Sequence, residues 1–235
     1  MKKVIGFDLD GTLTQHKSPL GAENRAVLER LSKKYRLLML GAGACARIYK
    51  QMGGFPIEII GNYGMQHSVV ENGHFRITEE LTAEVDHAWV EQAVTSLRKR
   101  FHLESFYGDN VEFHASGVIT FPILGTKAPL ELKLAYDPDR AKRRVMYPAV
   151  REVFHDFNVF IGGSSSFDIT QGDFNKFHAL QRFCETNGSD LSEALYVGDD
   201  FGEGGNDSSV KLGGVDCLEV DDYRRFPELT AYLLS

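Results

Sequence analysis

The feature that most restricts the fold is an alternation of short apolar runs with helical periods, present at both ends of the chain. Val4 to Leu9 is a brief apolar run broken by Asp8. Its length suits a buried parallel strand better than a helix. Ala22 to Lys34 follows, with Ala26, Val27, Leu28 and Leu31 grouped at helical spacing. Leu37 to Leu40 predicts a second strand, Cys45 to Met52 a helix closed by Gly53-Gly54, and Ile57 to Ile60 a third strand. Strand, helix, strand, helix, strand predicts a parallel sheet with helices on its faces. The alternation returns near the end: helix over Asn175 to Thr186, strand over Ala194 to Val197, and a short helix over Asn206 to Leu212. Cys217 to Val220 then predicts a strand and Phe226 to Leu234 a helix.

The middle reads differently. Val69 to Ile77 predicts a hairpin around Asn72-Gly73, the favoured two-residue turn. Leu81 to Phe101 predicts a long helix with Val85, Trp89, Val90, Ala93, Val94, Leu97 and Phe101 on its apolar face. Two strands are expected at Val111 to His114 and Val118 to Phe121, and a second helix from Asp139 to Phe154. Two further strands are expected at Asn158 to Ile161 and Ser166 to Thr170. Helices and strands in runs rather than alternation predict an α+β unit. The expected organisation is an α/β parallel-sheet core formed by residues 1–81 and 171–235, with an α+β insert over 82–170.

Composition narrows the partners. The 235 residues carry 33 acidic and 26 basic side chains, a formal charge of −7. A chain without surplus Lys and Arg is poorly suited to neutralising nucleic-acid phosphates. No apolar run approaches the roughly 20 residues needed to span a bilayer. The N-terminal lysines precede an apolar stretch ended almost at once by Asp8, which does not read as a signal peptide. Cys45, Cys184 and Cys217 are scattered and odd in number, with neither metal-ligand spacing nor a disulfide framework, so a cytoplasmic location is expected. His67, His74, His87 and His102 likewise lack metal-like spacing. The Arg140–Arg144 run reads as a solvated helix face.

The chemistry concentrates in three segments. In Phe7-Asp8-Leu9-Asp10-Gly11-Thr12, Asp8 and Asp10 fall at the carboxyl end of the first strand, where open α/β sheets place ligands. Two carboxylates this close repel unless a proton or cation intervenes. Tyr196-Val197-Gly198-Asp199-Asp200 ends another buried strand, and parallel strands would bring Asp199 to the same edge. Such a carboxylate set invites Mg²⁺, which takes one or two carboxylates together with waters and a substrate phosphate. Lys176 opens a core helix, where the macrodipole disfavours a cation, so a phosphate oxygen or the Asp8 carboxylate is its expected partner.

Together these parts describe phosphoryl transfer. Asp8 would attack phosphorus to form an aspartyl-phosphate. Asp10 would protonate the leaving alkoxide and then deprotonate the hydrolytic water. Mg²⁺ would touch Asp8, the Asp10 carbonyl and Asp199, while Lys176 and backbone N–H groups at Gly11, Thr12 and Gly41-Ala42-Gly43 would hold phosphate oxygens. Gly41-Ala42-Gly43-Ala44-Cys45-Ala46 also matches the G-x-G-x-x-A dinucleotide pattern. It follows the second strand rather than the first, and no acid ends the next strand to meet a ribose. A phosphate-contacting turn is the better use of these glycines.

These residues resemble the haloacid dehalogenase superfamily of aspartate-nucleophile phosphotransferases. Asp8-Leu9-Asp10-Gly11-Thr12 is similar to its first motif, Lys176 to its third, and Asp199 with Asn206-Asp207 to its fourth. The insert lies where the type-IIB α+β cap belongs. Within that type, Gly198 to Asp207 and the segment Ile161 to Ile169 resemble the eukaryotic-type phosphomannomutases. The resemblance implies sugar contacts from Ser166 and Asp168 in the cap. It also implies that Asn206 and Asp207 lie just outside the direct metal ligands, Asp207 near Lys176 or a metal-bound water. Where the mutases carry cap arginines, this chain has His114 and Thr126, with Lys133 in place of a third. A bidentate arginine clamp is not reproduced by those side chains. The resulting expectation is a Mg²⁺-dependent phosphatase acting on a small phosphorylated metabolite, a sugar phosphate first. The rivals are a phosphomannomutase-type hexose-phosphate mutase and a non-catalytic phospho-ligand binder. Oligomeric state is not readable from the sequence.

Overall fold

A computed structural model describes residues 2–235. The chain opens with β1 (Val4–Phe7), α1 (Ala22–Leu31), β2 (Arg36–Leu40), α2 (Cys45–Gln51), β3 (Glu58–Gly61), β4 (Gln66–Glu71) and β5 (His74–Glu80). It continues through α3 (His87–Arg100), β6 (Glu112–Phe113), β7 (Ile119–Pro122), α4 (Leu130–Tyr136), α5 (Ala141–Val153), β8 (Phe157–Gly162) and β9 (Ser166–Gln171). It closes with α6 (Lys176–Thr186), β10 (Ala194–Gly198), α7 (Ser208–Leu212), β11 (Asp216–Glu219) and α8 (Phe226–Leu229). One compact unit takes the chain up to Glu80 with Phe174–Gly202 and Asp207–Ser235; the other takes Leu81–Asp173 and the short segment Glu203–Asn206.

The first unit holds a seven-stranded sheet in the order β11-β10-β1-β2-β3-β4-β5. The strands from β11 to β3 run parallel, and β4 and β5 add an antiparallel edge. Successive strand side chains point to opposite faces. Ile5 and Phe7 therefore pack with Leu28, Ile48 and Phe226 from α1, α2 and α8. Val4 packs with Leu180, Phe183 and Val210 from α6 and α7. Burial on both faces explains why β1 and β10 read as continuous apolar runs. The β4–β5 turn has Asn72 and Gly73 both at positive φ, 51° and 79°, the type I′ geometry that Asn-Gly favours.

The second unit holds a four-stranded antiparallel sheet in the order β6-β7-β9-β8. Ile119, Phe121, Phe167, Ile169, Val159 and Ile161 on one face pack with Val90, Val94 and Leu97 of α3 and Met146 and Val150 of α5. The opposite face carries the Thr120–Asp168 pair. The mixed α/β chain with its parallel-dominated central sheet is the architecture of a haloacid-dehalogenase-type core with a cap.

Several expectations are corrected. Leu81–Asp86 are not helical. The helix starts at His87 because the Asp86 carboxylate accepts the Trp89 N–H as an N-cap, while Ala83 N–H bonds Ser116 O. Trp89 is 39% exposed, its ring resting against Phe154 and Phe157 rather than sinking into the core. The α4 helix is additional; it buries no residue and so lacks an apolar stripe to announce it. The Asn206–Leu212 helix begins only at Ser208, and the terminal helix ends at Leu229, before a 3₁₀ turn over Ala231–Leu234. Arg143 departs from its solvated neighbours. It is fully buried, paired with Asp137 at 2.8 Å, and donates to the carbonyls of Gly162 and Gly163. The three cysteines are free. Among the described residues, no helix is long and apolar enough to cross a membrane.

Candidate active site

Parallel pairing of Phe7 with Val197 sets the carboxyl ends of β1 and β10 side by side. Asp8 and Asp199 follow directly from those ends. Asp8 is buried, its N–H bonded to Val197 O at 2.9 Å, and Thr12 Oγ1 stands 3.5 Å from its Oδ2. Gly11 has φ +101°, and a Cβ there would fall 2.7 Å from the Asp199 carboxyl carbon. The glycine thus lets the loop after β1 approach Asp199. Asp10 lies two residues beyond Asp8 and is partly exposed. Its Oδ1 accepts the Lys17 N–H at 2.8 Å and Gln51 Nε2 at 2.6 Å.

Lys176 is the first residue of α6, where Asn175 caps the helix by accepting the His178 N–H. Its buried ammonium donates to Asp8 Oδ1 at 2.5 Å and to Asp207 Oδ1 at 2.7 Å. Asp207 is engaged on every side. Oδ1 also accepts Tyr196 O–H at 2.6 Å, and Oδ2 accepts the N–H groups of Asp199 at 3.0 Å and Asp200 at 3.1 Å. A buried carboxylate with four donors is a fixed strut: it holds the Asp199–Asp200 loop to Lys176. Gly198 makes room for it, since a Cβ there would lie 2.5 Å from Asp207 Oδ2. Tyr196, which sequence reasoning missed, was hidden as one more apolar position of β10; only the fold brings its hydroxyl to Asp207.

The charges do not balance. Asp8, Asp199 and Asp207 place oxygens within 4.8 Å of one another, against the Lys176 ammonium. Burial, with the Asp207 and Asp199 charges, raises the Asp8 carboxyl to about 8 despite Lys176. Burial disfavours the Lys176 cation, but Asp207 and Asp8 more than offset it and raise its pKa. Burial and the same carboxylates push the Tyr196 phenol well above its ordinary value. Such a site calls for a cation. The donor set is all oxygen, hard, and anionic, which suits Mg²⁺ better than a soft metal. Since Asp207 is saturated, Asp8 and Asp199 are the side chains suited to bind it.

A pH consequence follows for the metal-free protein. The folded Asp8 keeps its proton up to about pH 8, whereas the unfolded carboxyl loses it near 3.8. The folded state therefore holds the extra proton between those values, and this contribution to stability is lost as pH rises through the window. Asp8→Asn has no charge to bury. In chelator, its melting temperature relative to the unsubstituted protein should climb from pH 5 to pH 8; a constant difference would contradict the burial argument.

The turn after β2 divides its backbone donors between bonded and unbonded. Gly41 N–H bonds Ile60 O, Asn62 N–H bonds Gly43 O, and Cys45 N–H bonds Gln66 Oε1 at 2.7 Å. Among the described residues no acceptor takes the N–H groups of Ala42 and Gly43. In the second unit, Ser166 Oγ donates to Gly162 O at 3.0 Å. Asp168 Oδ1 accepts Thr120 Oγ1 at 3.1 Å, and Thr120 Oγ1 lies 3.0 Å from His114 Nε2. Lys133 Nζ donates to Thr126 O at 2.9 Å, distant in the unit's chain from that relay. Asn206 falls in the short segment that clusters with the second unit.

No family model matches the chain. The chain is 26% identical over 224 residues to a phosphomannomutase of Schizosaccharomyces pombe, covering 89% of this chain and 85% of the relative. It is 27% identical over 222 residues to that of Saccharomyces cerevisiae, covering 88% and 84%. A haloacid dehalogenase-like hydrolase from B. subtilis superposes with TM-score 0.61 at 18% identity, covering 91% of this chain and 87% of that one. The chain is similar in sequence to phosphomannomutases and shares its fold with a haloacid dehalogenase-like hydrolase. The fold is also shared with IMP-bound Plasmodium falciparum IMP-nucleotidase, with TM-score 0.71 at 13% identity, over 99% of this chain and 68% of that one.

Proposed function

We propose that the protein is a Mg²⁺-dependent phosphatase of small phosphorylated metabolites, sugar phosphates above all, with Asp8 as its nucleophile. The observation that carries this reading is the buried Asp8 carboxylate, bonded to Lys176 beside Asp199, with Asp10 two residues away. An Asp8 oxygen attacks phosphorus and the phosphorus–oxygen bond to the leaving group breaks. Asp10 gives its proton to the departing alkoxide, then removes one from the water that attacks the aspartyl-phosphate. Hydrolysis returns Asp8 and inorganic phosphate. Lys176 and the Ala42 and Gly43 N–H groups hold the phosphoryl oxygens, with Gly11 and Thr12 supporting the loop that carries both aspartates. Bound at Asp8, Asp199 and the Asp10 carbonyl, Mg²⁺ would supply charge neutralisation between nucleophile and phosphate. Ser166, Asp168 and Lys133 are assigned to the sugar, and a cytoplasmic setting fits such a substrate.

A mutase reading has its own support, the likeness to phosphomannomutases along most of the chain. Hydrolysis is favoured by where the two buried arginines of the second unit are spent. Arg98 donates to Asn110 and to the carbonyls of Leu103, Ile123 and Pro122, and Arg143 to Asp137 and strand-end carbonyls. His114 and Thr126 are held in local bonds. A mutase must grip a second phosphate while excluding water, which calls for a cationic clamp. With hexose phosphates and Mg²⁺, released phosphate should exceed isomerised sugar phosphate even when a hexose bisphosphate is supplied. Rapid 1-to-6 interconversion with little free phosphate would replace this reading with the mutase.

A further inference from the structure

We propose that Arg144 and Tyr147 of α5 are positioning residues for the metal ligand Asp199, acting through the segment Glu203–Asn206. The assignment rests on the reading of Asp199 as a Mg²⁺ ligand. The loop from Asp199 to Asp207 is divided between the two units. Its ends are held in the first. Asp207 Oδ2 accepts the Asp199 and Asp200 N–H groups, and the Asp207 N–H returns a bond to Asp200 O at 3.2 Å. Phe201 stays with them, its ring edge-on to Tyr196. The tip is built into the second unit. Ile161 N–H donates to Gly204 O at 2.7 Å, and Ile161 forms a parallel bridge with Gly205. Arg144 Nη1 donates to Glu203 O at 2.5 Å.

This contact completes the second unit's sheet. β8 is an edge strand in the order β6-β7-β9-β8, and the Ile161–Gly205 bridge lies on its outer side. Ile161 is buried, so its N–H needs a protein partner, which Gly204 O supplies. The fit is close. Gly204 has φ +73°, and a Cβ there would fall 2.6 Å from Tyr147 Cδ2. Glycine is what brings the backbone that near the ring. The tip therefore cannot leave α5 and β8 without stranding a buried donor. Two residues, Phe201 and Gly202, separate Asp200 from Glu203, and Asp207 follows Asn206 directly. Over so short a span, order at the tip and order at Asp199 are linked: fixing either one lowers the freedom the other must lose. Mg²⁺ at Asp199 then steadies the β8 edge, and the α5 contacts raise Mg²⁺ affinity by the same factor.

The contrary role is cover alone, in which the segment merely shields the β8 edge. Mg²⁺ titrated calorimetrically into the full-length protein separates the two roles, with residue-resolved amide exchange beside it. Tyr147→Ala and Arg144→Ala change residues of the second unit and leave Asp8, Asp10 and Asp199 in place. Each should weaken Mg²⁺ binding by about 5-fold or more, the low end of coupling between sites. Loss of the Arg144 charge would by itself favour a cation, so weaker binding reports the lost hold on Glu203. Arg144→Lys keeps an N–H donor for that carbonyl and should recover part of the affinity. In the wild type, Mg²⁺ should slow exchange of the Ile161 amide, and in Tyr147→Ala that slowing should shrink. Unchanged Mg²⁺ affinity in the folded variants overturns the proposal, even where their melting temperatures fall. So does an Ile161 amide indifferent to Mg²⁺ in the wild type. Should Tyr147→Ala not fold, substitution of the partly exposed Arg144 decides alone. A wild type that binds Mg²⁺ no more tightly than its variants removes the coupling and keeps the metal site. One that binds no Mg²⁺ removes the metal reading with it.

Discussion

Asp8→Asn is expected to lose about 10⁴–10⁶ of kcat, the scale seen when a covalent nucleophile is removed. The amide keeps the shape of the carboxyl and can still accept from Lys176, so the fold should survive. What disappears is the oxygen able to attack phosphorus. Lys176 also keeps Asp207 as partner, bonded at 2.7 Å, so its charge stays satisfied. The measurement is phosphate release from a sugar phosphate at saturating Mg²⁺, with a melting curve beside it. A variant with normal melting and near-normal turnover would exclude Asp8 as the nucleophile.

Lys176→Met should cost both activity and stability. Lys176 is 1% exposed and serves two buried carboxylates at once. Methionine fills similar volume but leaves Asp8 and Asp207 facing each other without their cation. Removing one partner of a buried ion pair typically costs about 3–5 kcal/mol. Protonation of Asp8 softens that loss, so the variant should recover stability as pH falls toward 5 and should unfold most readily above pH 8. Denaturant unfolding at several pH values reads both effects. Unchanged stability at pH 8 would mean that the ammonium does not hold the carboxylates together.

The parts legible in the sequence are those written over a few consecutive residues. Asp8, Asp10 and Asp199 stand at the ends of apolar strands, and Lys176 opens a helix where a cation is out of place, so each announces itself locally. The alternation that predicts the core is equally local, because parallel strands buried on both faces leave uninterrupted apolar runs. Contacts assembled across the fold were not legible. Tyr196 is an ordinary strand residue until Asp207 is brought beneath its hydroxyl. Arg47 and Gln51 look like solvated helix residues until α2 is laid beside the loop after β1. Arg143 is hidden within a basic run, and Asp137 together with the Gly162 and Gly163 carbonyls makes its burial tolerable. The Leu81–Asp86 stretch failed for the opposite reason: apolar spacing extended a helix that Asp86 stops by capping it from inside the pattern.

The central claim is that phosphorus passes through a covalent bond to Asp8. It is tested most directly by mixing enzyme, Mg²⁺ and a sugar phosphate, quenching in acid within the first turnover, and reading peptide masses. The account predicts one added phosphoryl group on the peptide containing Asp8, labile to hydroxylamine and absent from Asp8→Asn. Turnover at full rate with no phosphorylated peptide at any quench time, or with the phosphoryl group on another residue, would contradict it.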